Sequence, residues 1–78
     1  MKITGGINYI KFDFENGYVV KAEGEMLSSN KFLVYTNTIK HWEYPHEKEI
    51  LDPKDISRIR DEISKMMNEK TVQIEFID

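Results

Sequence analysis

The sequence predicts an α+β domain: a small antiparallel sheet with elements in the order β-β-β-α-β and one amphipathic helix packed on one face. Three observations carry this. Apolar residues between Asp52 and Lys70 recur at helical spacing, residues Ile10 to Ala22 alternate on both sides of Glu15-Asn16-Gly17, and Val72, Ile74 and Phe76 alternate again after the helix. At 78 residues the chain reads as a single domain, 1–78, in the size range where stability is marginal and a deep cleft is hard to build.

Taken in order, Ile3 to Ile7 contains Gly5-Gly6 and reads as a turn or a break in a short leading strand. Ile10, Phe12 and Phe14 then alternate with Lys11, Asp13 and Glu15, the period of a half-buried strand. A two-residue loop at Asn16-Gly17 would set Phe12 opposite Lys21 and Ile10 opposite Glu23, mixing apolar and charged residues on one face. A three-residue loop of Glu15, Asn16 and Gly17 pairs Phe14 with Tyr18, Phe12 with Val20 and Ile10 with Ala22. A one-residue slip would move the whole apolar set to the wrong side, so the three-residue loop is expected, with Gly17 left-handed in a bulge. The second strand should run to about Met26, and Ser28-Ser29-Asn30-Lys31 is a turn by composition. Phe32 to Thr36 is apolar at nearly every position, as in a strand covered on both faces or lying mid-sheet. From Asn37 to Ile50 the pattern breaks, with Ile39, Trp42 and Tyr44 among polar residues and a charged loop at 45–49.

The helix has a clear start. Asp52 is an N-cap, Pro53 occupies the first helical position, where it loses no hydrogen bond, and Asp55 complements the positive end of the dipole. Leu51 and Ile56 fit a hydrophobic staple. Ile56, Ile59, Ile63, Met66 and Met67 form the core stripe, while Arg58, Asp61, Glu62, Lys65 and Glu69 form a solvated face. Arg58 with Glu62 and Asp61 with Lys65 are spaced for ion pairs worth about 0.2–0.5 kcal/mol each. Asn68 and Lys70 are moderate stop signals ahead of β-favouring Thr71 and Val72.

Composition narrows the function. Without cysteine there is neither a disulfide framework nor a thiolate metal site. No stretch has the length of a signal peptide's apolar run or a membrane span, so a cytoplasmic protein with no membrane partner is expected. The formal charge is −3 and the basic residues are scattered, which disfavours nucleic acid, since phosphate binding needs a positive patch.

His41, Glu43, His46, Glu47 and Glu49 form the one cluster of ligand-type side chains. Two histidines five residues apart in a loop, with no second cluster, fit a solvated loop better than a metal site. No nucleophile, Gly-rich phosphate loop or spaced carboxylate pair accompanies them. The expectation is therefore no catalytic residue, no metal and no cofactor; an enzyme using His41 or His46 is the minor alternative. Trp42, flanked by His41, Tyr44 and Pro45, is either a plug at one end of the core or an aromatic anchor for a partner. The plug has the stronger claim, because so small a domain seldom leaves its single tryptophan out of its core.

The stretch Tyr35-Thr36-Asn37-Thr38-Ile39-Lys40-His41-Trp42-Glu43-Tyr44-Pro45 resembles the immunity protein 74 family of bacterial polymorphic-toxin systems. Glu23-Gly24-Glu25-Met26-Leu27 before it, and a helix followed by Ile74-Glu75-Phe76 after it, match in order and spacing. Tyr35, Asn37, Lys40, Trp42, Glu43 and Pro45 carry the family-like signature. The resemblance implies a small cytoplasmic α+β protein that binds and blocks a cognate protein toxin without catalysis or cofactor. The expected contact is the Trp42 to Glu49 segment with the adjoining sheet edge or open sheet face, and the partner-binding residues are expected at Tyr35, Asn37, His41, Trp42, Glu43, Tyr44 and Pro45. The alternative is a self-associating structural or regulatory module, a homodimer formed through the uncovered sheet face with Tyr9, Val19, Leu33 and Tyr35.

Overall fold

The computed structural model describes residues 1–28, 30–67 and 73–78, without the side chain of Met67. Strands β1 (Lys2–Gly5), β2 (Tyr9–Asp13), β3 (Val19–Ser28) and β4 (Lys31–Tyr35) precede a single 3-10 turn at Thr36–Thr38. Helix α1 (Pro53–Met67) and strand β5 (Gln73–Ile77) follow. The five strands form one sheet in the order β1-β2-β3-β4-β5, so the α+β class stands.

Of the two expected readings of Gly5-Gly6 the turn holds: the leading segment is an edge strand, Ile3 facing Phe12 and Gly5 facing Ile10, and the Gly6 amide donates to the Tyr9 carbonyl at 3.0 Å where the chain turns into β2. One feature differs from the sequence reading. The last pairing is parallel: Phe32 sits beside Ile74 and Val34 beside Phe76. Parallel neighbours need a crossover of a dozen or more residues, and here α1 supplies it. Arg60 of the helix fastens the returning strand, with Nη1 2.9 Å from Asp78 Oδ1 and its guanidinium 5.2 Å from the Phe76 ring centre.

The expected hairpin register is observed. Phe12 lies opposite Val20, Ile10 opposite Ala22, and the Phe14 amide donates to the Tyr18 carbonyl at 3.1 Å. Gly17 is left-handed (φ 94°), and so is Glu15 (φ 61°), which the sequence did not announce. The Glu15 amide donates to Asp13 Oδ1 at 2.8 Å, a local bond that holds the unusual conformation. At Gly24, a Cβ would collide with the Leu33 carbonyl oxygen, so only glycine allows β3 and β4 to approach this closely.

The core lies between the sheet and α1. Ile10, Phe12, Val20, Ala22, Phe32 and Val34 meet Ile59 and Ile63, with Ile39 and Leu51 closing one end. Phe14 packs against its edge and Tyr18 is half-buried. The helix begins as expected: the Asp55 amide donates to Asp52 Oδ1 at 2.8 Å and the Asp52 amide to Asp55 Oδ2 at 3.2 Å. Arg58 lies 3.8 Å from Asp55 rather than pairing with Glu62. The expected helix stop at Asn68 and Lys70, the turn residue Ser29, Glu69, Thr71 and Val72 lie outside the described residues.

β4 is a mid-sheet strand covered on one face only. Phe32 and Val34 are buried, while Leu33 and Tyr35 are half-buried on the side without a helix. Lys11, Lys21, Glu23 and Glu25 share that open side by strand alternation, which spreads charge among its apolar residues.

Candidate functional site

The segment from Tyr35 to Ile50 is where the chain leaves the sheet and comes back. β3 is ten residues long and β4 five, so the first half of β3 projects beyond its neighbour. Where β4 ends, a single hydroxyl takes over the ladder: Thr38 Oγ1 accepts from the Glu23 amide at 2.9 Å and donates to the Tyr35 carbonyl at 2.6 Å. The chain then rejoins β3, with Trp42 bridging Val20 and the Glu43 amide donating to the Val19 carbonyl at 2.8 Å. His41 bridges Ile50, and the Leu51 amide donates to the Lys40 carbonyl at 3.1 Å. Residues 40–51 thus form a closed loop, stapled at its base to itself and to β3.

Strand-like alternation at 41–43 sorts the side chains. Trp42 falls on the same side as buried Val20 and meets Tyr18 edge-to-face at 4.9 Å and Phe14 at 6.0 Å between ring centres. This is the core-plug role, with the indole half-buried. Tyr18 carries the contact outward. His46 stacks on it at 3.8 Å and 9° between planes, and Glu49 lies 2.7 Å from His46 Nδ1 and 3.4 Å from the Tyr18 hydroxyl. Partial burial and the Glu49 carboxylate push the Tyr18 phenol above its ordinary pKa, because both disfavour a phenolate.

The seven candidate partner-binding residues are split among several environments. Trp42 turns inward. Tyr35 stands half-buried on the open sheet face, its phenol also raised by partial burial and by Glu25. Asn37, His41 and Glu43 line a polar groove of about 490 Å³ beside Lys21 and Glu23. Tyr44 and Pro45 occupy the outer loop, joined by a cis peptide bond, and Tyr44 is 84 % exposed. The histidines do not converge: His41 Nδ1 lies 2.8 Å from the Trp42 carbonyl, while His46 is committed to Tyr18 and Glu49. Among the described residues no group of three or more His, Asp or Glu is placed to hold a metal ion, and no helix is long and apolar enough to cross a membrane.

Sequence reasoning missed Thr38, whose role depends on where β4 stops, a length that no side-chain pattern records. It also missed the joining of Phe14 and Tyr18 to Trp42. The register placed both rings at the closed end of the hairpin, but the partner that meets them there comes from the segment that follows β4 and rejoins β3 along the same edge.

Residues 2–77, nearly the whole chain, match a family model, that of immunity protein 74. No curated protein and no solved structure matches the chain.

Proposed function

The chain belongs to the immunity protein 74 family, and from that premise we propose that it neutralises a cognate protein toxin by direct binding in the cytoplasm, as a polymorphic-toxin antidote with no catalysis or cofactor of its own. The outward side of the Tyr35–Pro45 segment is the contact. One observation carries that placement: Tyr44, 84 % exposed, stands on a loop whose base is bonded to β3 and whose inner side is held by Trp42. Tyrosine is a characteristic anchor of interface hot spots, and a backbone already fixed loses little entropy on docking. Asn37, His41, Glu43 and Pro45 supply the surrounding contacts, Tyr35 extends them onto the open face, and Trp42 holds the loop from behind.

Calorimetric titration with the toxin domain encoded beside the gene tests this. The expected dissociation constant is nanomolar or tighter. Tyr44→Ala should weaken binding by about thirtyfold or more, equivalent to the ~2 kcal/mol of a hot-spot residue, with an unchanged melting temperature. Absence of binding by the wild-type protein would end the proposal.

A second reading, a homodimer through the open sheet face, draws on the apolar residues brought together there. Tyr35 pairs with Ile77, which is 40 % exposed, and Leu33 lies one row away. Sedimentation at micromolar concentration decides it, and a clean monomer removes it.

A further inference from the structure

The three rings that meet at the end of the hairpin also form the floor of an open groove. Phe14, Tyr18 and Trp42 line one side, the first turns of α1 line the other, and the space between measures about 420 Å³. Ile50, 81 % exposed, stands at its rim.

The charges around this floor are unequal. Glu49, Asp55 and Glu62 border the groove against a single Arg58. Asp55 is already engaged, capping the helix with Asp52 and lying 3.8 Å from Arg58. Glu49 faces His46 and the Tyr18 hydroxyl, yet its side chain remains 54 % exposed. Among the described residues Glu62 has no cation at ion-pair distance. The groove therefore combines an aromatic floor with two accessible carboxylates.

A guanidinium or ammonium group on an aliphatic stem fits this combination. The stem covers the apolar surface of the aromatic side chains, and a carboxylate accepts the hydrogen bonds of the cation. We infer that the groove is a docking site for an arginine or lysine side chain of a partner protein. Its identification with a basic residue of the toxin rests on the neutralisation reading; the chemistry of the site does not.

The single tryptophan is part of the floor, so its emission reports occupancy directly. The probe is the capped tripeptide acetyl-Gly-Arg-Gly-amide, compared with the same peptide carrying citrulline, which keeps the shape and removes the charge. The expected result is a saturable change in Trp42 emission with the arginine peptide, at an apparent affinity at least about fivefold tighter than with citrulline. E49Q/E62Q should erase that difference, its fold checked by circular dichroism. Equal responses to the two peptides in the wild-type protein, or no response to either, would overturn the inference. So would a folded E49Q/E62Q variant that still prefers arginine. The test needs no toxin. Loss of the arginine preference leaves the neutralisation proposal standing, and failure of the calorimetric titration leaves the groove's selectivity standing.

Discussion

Strand β3 is flanked in two ways along the same edge. From Gly24 to Ser28 it pairs with β4 through a backbone ladder so close that Gly24 has no room for a side chain. From Val19 to Glu23 it is met by the Thr38 hydroxyl and by a short backbone bridge at Trp42 and Glu43, with the Trp42 ring packed on Tyr18 just before it. The first arrangement repeats along the backbone and tolerates exchange of its outward side chains. The second adds to one backbone bridge two particular side chains, Thr38 and Trp42, each of which can be removed by one substitution. The difference explains how an irregular segment can present an exposed tyrosine on a fixed backbone: its order is supplied by Thr38, by Trp42 and by backbone bonds to β3, not by the tyrosine itself.

The sharpest way to break that contrast is Trp42→Ala. Removing a half-buried indole that touches Phe14 and Tyr18 should cost about 3 kcal/mol, the low end for losing a large aromatic from a core, in denaturant unfolding. Hydrogen exchange should then show residues 39–50 opening while the β3–β4 ladder stays protected. If both halves open together, the returning segment is not a separately held unit. Thr38→Val is the smaller perturbation. It keeps the shape but removes the partner shared by the exposed Glu23 amide and the part-buried Tyr35 carbonyl, at a cost of about 0.5–1.5 kcal/mol. Its signature should be faster exchange at the Glu23 amide specifically; an unaltered rate there would show that the hydroxyl bridge does not complete the ladder.

The same contrast separates what could be read from the sequence. The helix, its cap and the hairpin register were legible because each is written as a local pattern: Asp52-Pro53 with Asp55, the stripe through Ile59 and Ile63, and the alternation that permits only one pairing of Phe12 with Val20. The direction of β5 was not, since alternation is identical in parallel and antiparallel strands and the difference lies in the path of the connection. The apolar run at Phe32 to Thr36 fitted a strand covered on both faces or one lying mid-sheet, and β4 is the second of these, with Leu33 and Tyr35 on its open face. At the candidate site, the residue types were visible but their sides were not. Whether Trp42 faces inward depends on its landing opposite Val20, and that register follows from the length of the Thr36–Thr38 detour.

The mildest test of the side-chain-held half uses pH. The Tyr18 phenol has a raised pKa in the fold, through partial burial first and the Glu49 carboxylate second. A group whose folded pKa exceeds its unfolded value contributes stability that is present in full below the unfolded value, near 10 for tyrosine, and lost as pH rises through the folded one. Stability should therefore be insensitive to Tyr18 ionisation at neutral pH and decline in the alkaline range, as a phenolate forms beside Glu49 and the His46 ring is left against a charged partner. Tyr18→Phe keeps the ring that Trp42 and His46 contact and removes the titrating group. The difference in unfolding free energy between wild type and Tyr18→Phe should then be flat below about pH 9 and shift in favour of the variant above it. A difference that stays constant into the alkaline range would mean that Tyr18 ionises no less readily in the fold than in the open chain, and that Glu49 exerts no hold on the hairpin end of the aromatic cluster.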